Sequence, residues 1–411
     1  MDENKTSRPI DLFCYNIGSE ISQAFNNQQS YTPSATVRCL RRDLAFLPAW
    51  ITEYSDHSFV LCPEEAIPDK PPFLSYPLCN TISEEVLANK FNGNIVRLHL
   101  NGTEPSYTRS LIKKFPSIGF QETNANINVE TLRSFYDRSL SVCYLSENCP
   151  CFTPSIIENS SDLSLFLSKS GKDNVIKQSY TSSGRGILRY NRDELIRNIK
   201  KGIIKYPFII EPLYKKIADW ATEFTIEGDK HPIVKYLGLS HFRCNQFKYS
   251  HNIIMNQTIL HEQLIDRIGE DTFQKTINEQ KLFLEKKVAK EYRGDVGIDM
   301  MIVSDDLNNL TLHPCVEINV RSTMGHYAIR LYERLCEDDK IYEFGIEYLD
   351  PRKKIITHNS QEKTPPLFNH NGKLIDGCLF LTGVKEETLF IAYMKCRGTI
   401  DNINSIFCHK I

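Results

Sequence analysis

The stretch HPCVEINVRSTMGH, residues 313–326, decides the fold that this sequence predicts. Glu317 and Asn319 stand two residues apart in a run that is otherwise typical of a β-strand, so their side chains share one face of that strand. The valine and isoleucine side chains that alternate with them share the other face and can pack against a core. A carboxylate and an amide oxygen side by side on a rigid strand suit Mg²⁺, with phosphate oxygens and water completing its shell.

A third oxygen ligand stands on the preceding strand. The run GIDMMIV carries Asp299, and the polar turn DDLNN separates it from the strand of Glu317. The turn predicts an antiparallel hairpin in which Asp299 faces Glu317 and Asn319. This set could hold one or two Mg²⁺ ions that bridge the phosphates of a nucleotide, and Arg321 could grip a phosphate or carboxylate. The competing interpretation is a solvated polar face on a half-exposed sheet.

A glycine-rich loop, TSSGRGI at residues 181–187, lies between two strand-like runs. It is not a P-loop, because G-x-x-x-x-G-K-[ST] is absent and no helix follows directly. It could fold over a ligand as a flap, with Lys177 on the entering strand placed to meet phosphate oxygens. The phosphate donors of the flap would come from Ser182, Ser183, Gly184, Arg185 and Gly186. The alternative is a mobile hairpin with a surface lysine.

Two glutamates follow on the next strands. An apolar run ends at Glu211-Pro212, and Glu223 stands in the later run TEFTI. We expect the backbone from Glu211 to Leu213 to read an adenine and Glu223 to accept hydrogen bonds from ribose hydroxyls. Glutamates at strand ends are usually surface residues, so this pair alone is a weak signal.

Composition limits the function classes. A chain of 411 residues with 41% hydrophobic and 24% charged residues predicts two or three packed units of a globular protein. A net charge of -2 argues against nucleic-acid and membrane-surface partners, and the first residues lack the apolar core of a signal peptide. We therefore expect a cytoplasmic protein. Its 13 cysteines, scattered without framework spacing, are interpreted as buried thiols.

Three local expectations can be checked directly. Residues 264–294 predict one long helix ended by Gly294. The helix that follows residue 159 is expected to be capped by Ser161 or Asp162, with Gly171 beyond its end. His241 stands where a substrate loop is expected and is interpreted as a surface histidine.

The order of these features resembles the ATP-grasp superfamily, in particular its carboxylate–amine ligase-like members. The resemblance extends over about residues 126–335. The features that carry it are, in chain order, Lys177 before a Ser/Gly flap, Glu-Pro, Glu-Phe, an aspartate in an apolar strand and the run E-I-N-V-R. It implies a mixed α+β and α/β fold with two α+β lobes around the nucleotide. The implied units are a pre-ATP-grasp α/β domain (1–125), a small lobe with the flap (126–205), a large lobe with the metal site (206–335) and a small β appendage (336–411).

The resemblance also implies an activity and its residues. The implied reaction is ATP- and Mg²⁺-dependent ligation, with Mn²⁺ as an alternative ion, of a small-molecule acid to an amine through an acyl-phosphate. Lys177 and Arg321 would be catalytic, Lys177 and the flap would bind phosphates, and the remaining roles fall on Glu211 and Leu213 (adenine), Glu223 (ribose) and Asp299, Glu317 and Asn319 (metal). A homodimer is left open.

Two departures from the family pattern keep alternatives open. The usual second lysine is absent, with Arg133 and Arg138 as candidates, and Gly297 replaces a basic residue found two positions before the metal aspartate. The same scaffold can act as a small-molecule kinase, and a nucleotide-binding protein without turnover is the third interpretation. The sequence does not identify the acid or the amine.

Overall fold

The computed structural model describes residues 9–24, 31–68, 77–169, 173–180, 186–245, 247–349 and 364–403. Its helices are α1 (Ser19–Gln23), α2 (Ala35–Asp43), α3 (Glu84–Phe91), α4 (Pro105–Lys114), α5 (Val129–Tyr136), α6 (Ser139–Asn148), α7 (Ser160–Lys169), α8 (Arg192–Lys200), α9 (Gln257–Ile268), α10 (Glu270–Lys287) and α11 (Met324–Leu335). Short 3₁₀ turns lie at Leu47–Trp50, Glu64–Ala66, Pro150–Phe152 and Ile400–Asn402.

The strands fall into three large sheets and one small hairpin. In chain order they are β1 (Ile10–Cys14), β2 (Ser58–Leu61), β3 (Asn80–Ile82), β4 (Ile95–Leu100), β5 (Gly119–Glu122), β6 (Ser155–Ile157), β7 (Asn174–Gln178), β8 (Ile187–Arg189), β9 (Phe208–Pro212), β10 (Lys215–Glu227), β11 (Ile233–Asn245), β12 (Lys248–Ile254), β13 (Gly294–Ser304), β14 (Leu310–Asn319), β15 (Lys340–Tyr348), β16 (Leu367–Phe368), β17 (Leu374–Asp376), β18 (Cys378–Phe380) and β19 (Phe390–Thr399).

The N-terminal layer is a parallel sheet in the order β3-β2-β1-β4-β5. Its core combines strand residues such as Leu12 and Val96 with helix residues such as Leu87 and Leu111. Parallel strands need helical crossovers that cover the sheet, and α3 and α4 supply them. The α/β architecture predicted for this part is confirmed.

The second layer is an antiparallel sheet in the order β6-β9-β7-β8, packed against α7 and α8. Lys177 on β7 pairs with Ile187 on β8, so the strands on either side of the glycine-rich loop form the predicted hairpin. Of the flap, only Gly186 lies within the described residues. Ser182, Ser183, Gly184 and Arg185 lie outside them, as does Gly171.

The third layer is an antiparallel sheet of eight strands in the order β14-β13-β10-β11-β12-β15-β19-β18. α6, α9 and α10 pack against it, with residues such as Trp220, Phe273 and Ile298 in the shared core. The C-terminal region is β-rich, as predicted, and continues this sheet because β15 pairs with β12. It also contacts the N-terminal layer, since the Trp50 indole donates a 2.6 Å hydrogen bond to the Leu381 carbonyl.

Two expectations about helices are wrong. Gly269 has a φ of 83°, a left-handed conformation that glycine adopts without strain, and it splits the predicted long helix into α9 and α10. α7 begins after Asn159, whose Oδ1 accepts hydrogen bonds from the N–H groups of Ser161 (2.8 Å) and Asp162 (3.1 Å). The cap is therefore Asn159, two residues earlier than Ser161. In the described part of the chain, no helix combines the length and apolar character of a bilayer-crossing segment.

Candidate functional site

A cavity of about 960 Å³ is lined by residues of the two antiparallel sheets, by α1 and by the segments that follow β1 and β4 of the parallel sheet. It brings together most of the described residues to which the sequence assigned a role: Lys177, Glu211, Leu213, Glu223, Asp299, Glu317, Asn319 and Arg321. Gly186 does not line it. Residues more than 100 positions apart in sequence therefore share one concave site, which is the usual form of a small-molecule site.

The hairpin predicted from the polar turn forms, while its metal-binding role stays a prediction. Asp299 on β13 lies directly opposite Glu317 on β14, and Asn319 pairs with Gly297. The Asn319 amide donates a 3.3 Å hydrogen bond to Asp299, while its oxygen accepts one of 3.0 Å from Arg321. Burial raises the pKa of Asp299 well above its ordinary value, and the facing carboxylates of Glu317 and Glu223 add to the shift.

These residues fit a divalent cation. Two carboxylates and an amide oxygen are hard donors of the kind Mg²⁺ takes, and a cation between Asp299 and the facing Glu317 would offset the repulsion of their like charges. No group of three His, Cys, Asp or Glu side chains suited to a metal occurs among the described residues. A cation here would therefore need phosphate oxygens or water to complete its shell.

Of the two arginines that could replace the missing lysine, Arg138 is the one that reaches this hairpin. Its Nη2 lies 3.1 Å from Oε1 of Glu317, and its side chain is buried at the cavity wall. Arg133, the other candidate for the missing lysine, instead lies over the ring of Tyr180, with 5.4 Å between the guanidinium carbon and the ring centroid. The turn between α5 and α6 separates the two arginines and directs them to different sites.

Lys177 and Glu211 form a buried ion pair at the opposite wall, with 2.6 Å between Nζ and Oε1. Neighbouring antiparallel strands hold them, because Val175 on β7 pairs with Glu211 and Lys177 pairs with Ile209 on β9. The pair fixes the ammonium group in the cavity wall. The N–H of Leu213 donates a 2.9 Å hydrogen bond to the Asp173 carbonyl, so an adenine would have to replace that bond. Its adenine role stays a prediction.

The Glu223 carboxylate makes more contacts within the protein than its predicted ribose role requires. Its Oε1 accepts a 2.9 Å hydrogen bond from Ser240, and its Oε2 accepts one of 2.9 Å from Thr323 and lies 2.9 Å from Nδ1 of His326. A Cβ at Gly297 would lie 2.7 Å from Oε2, which explains why this position carries no basic side chain. The ribose role of Glu223 also stays a prediction.

Sequence reasoning missed Asp219. It lies on β10 two and four residues before Ala221 and Glu223, so all three share the strand face that lines the cavity. Burial raises the pKa of Asp219, an effect that Lys216, 2.6 Å away, partly offsets. The period of two that placed Glu317 beside Asn319 would have placed Asp219 beside Glu223.

The interpretation of His241 as a surface residue is wrong. His241 is buried on β11, its Nδ1–H donates a 2.7 Å hydrogen bond to the Asp219 carbonyl, and its ring packs on Trp220. Burial lowers its pKa to about 3, so the imidazole is neutral near pH 7 and acts as a core residue.

The N-terminal layer contributes a residue that the sequence did not indicate. Glu20, at the start of α1, lines the cavity and lies 2.5 Å from Nε of Arg321. The backbone supports the contact, since the Ser322 N–H donates a 2.8 Å hydrogen bond to the Asn101 carbonyl just after β4. The cavity is therefore closed on one side by the loops that follow β1 and β4.

Comparison with known proteins identifies the fold to which this architecture belongs. No protein-family model matches the sequence, and no curated protein matches it. The biotin carboxylase of Campylobacter jejuni, solved as a beta-gamma-ATP complex, matches with a TM-score of 0.50 and 10% identity over 94% of this chain and 87% of that one. The chain has an ATP-grasp fold.

Other solved structures match at lower TM-scores. N5-carboxyaminoimidazole synthetase from Staphylococcus aureus gives 0.48 at 10% identity over 99% of this chain and 98% of that one. An ATP-grasp superfamily protein from Archaeoglobus fulgidus, described as putative, gives 0.40 at 12% identity over 82% and 93%. A likeness at these identities and TM-scores assigns no role to any residue of this chain.

Proposed function

We propose that the protein is an ATP- and Mg²⁺-dependent ligase that joins a carboxylic acid to an amine through an acyl-phosphate. The observation that carries the proposal is the hairpin on which Asp299, Glu317 and Asn319 meet in one cavity with Arg138 and Arg321. Paired carboxylates facing fixed cations suit a nucleotide phosphate chain and its metal ion better than they suit an exposed sheet face.

The basic residues supply phosphate binding. Lys177 and Arg138 both line the cavity, where each forms an ion pair with a carboxylate, and both side chains carry several hydrogen-bond donors that suit phosphate oxygens. Arg321 presents a planar guanidinium beside the metal ligands, where it would hold the acid and the phosphate joined to it. Mg²⁺ held by Asp299, Glu317 and Asn319 would draw charge from the phosphate oxygens.

The amine of the second substrate serves as the nucleophile, so the protein needs no nucleophilic side chain. The cysteine that lines the cavity, Cys244, fits this view. Burial, reinforced by Asp219, raises the pKa of its thiol to about 12, so it stays protonated near neutral pH. A protonated thiol is a poor nucleophile, which argues against a covalent enzyme intermediate at this position.

The test is a thermal-shift titration with a non-hydrolysable ATP analogue, with and without Mg²⁺. Ligand at a hundredfold its Kd adds about 2.7 kcal/mol of stability. We expect a Mg²⁺-dependent shift in the wild type that Glu317→Ala removes. Asp306→Asn is the matched control, because Asp306 is an exposed carboxylate in the turn at the far end of the same hairpin. Its shift should equal that of the wild type.

The absence of any nucleotide-dependent shift in the wild type would refute the proposal. A positive result leads to turnover assays in which acid and amine pairs are scored by ADP release. An amide product supports the ligase. A phosphorylated substrate that accumulates without an amide would assign the protein to the small-molecule kinases instead.

A further inference from the structure

One oxygen of Glu20 has no hydrogen-bond partner among the residues that the structure describes. Glu20 is only 7% exposed, and its Oε1 lies 2.5 Å from Nε of Arg321. Its Oε2 is buried and accepts no hydrogen bond from the described residues. Leaving a buried charged acceptor unpaired is costly, so a fold that retains one at a cavity wall has a place for an external donor.

The position of Glu20 relative to the metal hairpin defines what that donor meets. Arg321 lies between the two, with its Nε toward Glu20 and its Nη2 3.0 Å from Asn319. A group bound to the free oxygen of Glu20 is therefore separated from the metal ligands by one guanidinium. If Arg321 holds the activated acid, the donor on Glu20 lies next to the carbon under attack.

The charge balance favours a cationic donor. Arg321 is the basic side chain that contacts Glu20, and its guanidinium also bonds Asn319 and the Ser322 carbonyl. A phosphorylated acid bound to Arg321 would also be neutralised by this guanidinium, so less positive charge would remain to balance the Glu20 carboxylate. An ammonium group supplies both the missing charge and the missing hydrogen bond, whereas a hydroxyl supplies the hydrogen bond alone.

Aromatic side chains also line the cavity. Tyr15 and Tyr327 line it and pack edge to face with ring centroids 6.2 Å apart, and Tyr249 and Phe242 line it from the β11–β12 hairpin. Ring faces attract ammonium groups and also cover apolar substituents. The wall therefore suits an amine with an apolar or aromatic body.

We propose that Glu20 is the amine-recognition residue, and that it binds the second substrate as a primary ammonium ion with an apolar body. The ammonium ion transfers one proton to the Glu20 carboxylate, and the free amine then forms the C–N bond to the acyl carbon as the C–O bond to phosphate breaks and phosphate leaves. This inference rests on the proposed function, since it names the substrate class of the same site. It assigns acid activation to the lobes that bind the nucleotide and amine selection to the N-terminal layer.

The probe is 2-phenylethylamine, which is an ammonium ion at pH 7.5, and 2-phenylethanol is its neutral counterpart. Binding to the full chain is measured by calorimetry without nucleotide, on wild type and Glu20→Gln. The matched control is Glu104→Gln: Glu104 is also a buried carboxylate of the N-terminal layer, paired with Arg41 at 2.6 Å, but it does not line the cavity.

We expect Glu20→Gln to weaken 2-phenylethylamine binding at least about tenfold and Glu104→Gln to leave it unchanged. Glu20→Asp, which keeps the charge, should bind more tightly than Glu20→Gln and serves if the amide variant misfolds. Equal binding by wild type and both Glu20 variants, no binding by the wild type, or equal affinity for 2-phenylethanol would each overturn the inference.

The two proposals fail separately. If the ATP analogue produces no thermal shift in the wild type, the ligase proposal is refuted, regardless of the result of the amine-binding experiment. If the ATP analogue still shifts the melting temperature but amine binding does not depend on Glu20, only the proposed role of Glu20 is refuted.

Discussion

Replacing Lys177 by methionine would leave the Glu211 carboxylate buried without its partner. The two side chains are 6% and 7% exposed and lie 2.6 Å apart, so little solvent reaches either charge. Breaking one side of such a pair costs about 3–5 kcal/mol, because the remaining charge stays desolvated. Removing both charges, with Lys177→Met and Glu211→Gln together, should cost much less than the sum of the single changes.

The chain offers a matched control for this cycle. Lys235 and Glu227 form the same kind of cross-strand Lys–Glu pair at 2.5 Å, but their side chains are 52% and 53% exposed. Solvent screens such a pair, and exposed pairs of this kind contribute about 0.2–1 kcal/mol. The comparison separates the effect of burial from that of contact distance.

The measurement is the free energy of unfolding in guanidinium chloride for all four members of each cycle. We expect a coupling energy of at least about 2 kcal/mol for the buried pair and below about 1 kcal/mol for the exposed pair. A coupling for Lys177 and Glu211 no larger than that of the control would show that the ion pair does not hold the lysine in the cavity wall, and the reasoning would fail.

Three further predictions concern the same cavity. Asp299→Asn should raise the stability of the nucleotide-free protein near pH 7 by up to about 1 kcal/mol, because burial and the facing Glu317 disfavour ionisation of the carboxyl group that this variant removes; it should also abolish the Mg²⁺-dependent shift, and a destabilised variant would contradict this. His326 is buried and its pKa is raised against desolvation, first by Asp295 and then by Glu223, so its stabilisation should be complete below pH of about 6.5 and lost as the pH rises through the higher folded-state pKa. Unfolding free energies from pH 5 to 9 should show this loss in the wild type and not in His326→Gln. Gly325→Ala places a Cβ 1.8 Å from Oε1 of Glu223 and should destabilise the protein by about 1–3 kcal/mol in the same assay.

The metal hairpin could be predicted because all of its signals are local. The alternation of β14, the polar turn and the apolar run before it lie within about 25 residues, and strand pairing across a short turn follows from them. The break between α9 and α10 was also visible in principle. Gly269 interrupts the helical pattern, but a single glycine within a helix costs only about 1 kcal/mol, so the pattern alone does not distinguish one long helix from two.

Contacts over long sequence distances could not be predicted in this way. Nothing near Lys340–Tyr348 indicates that this strand pairs with β12, because antiparallel pairing of distant strands depends on the whole sheet. The choice between Arg133 and Arg138 depends on the angle between α5 and α6, which two residues of turn set and which one sequence does not fix. Burial of His241 depends on the neighbours of β11 in the same way.

Glu20 is the extreme case, since it lies about 300 residues before Arg321 and on helix α1 of the N-terminal layer. Its role follows from how the N-terminal layer meets the large sheet, where Ser322 and Asn101 bond through their backbones. The residues proposed to bind the nucleotide are positioned by strand register. Glu20, proposed to contact the second substrate, lies on α1 beside the segments that follow β1 and β4, and such segments can change in sequence without disturbing that register. Substrate choice in this chain should therefore follow the N-terminal loops, with the nucleotide chemistry held constant by β13 and β14.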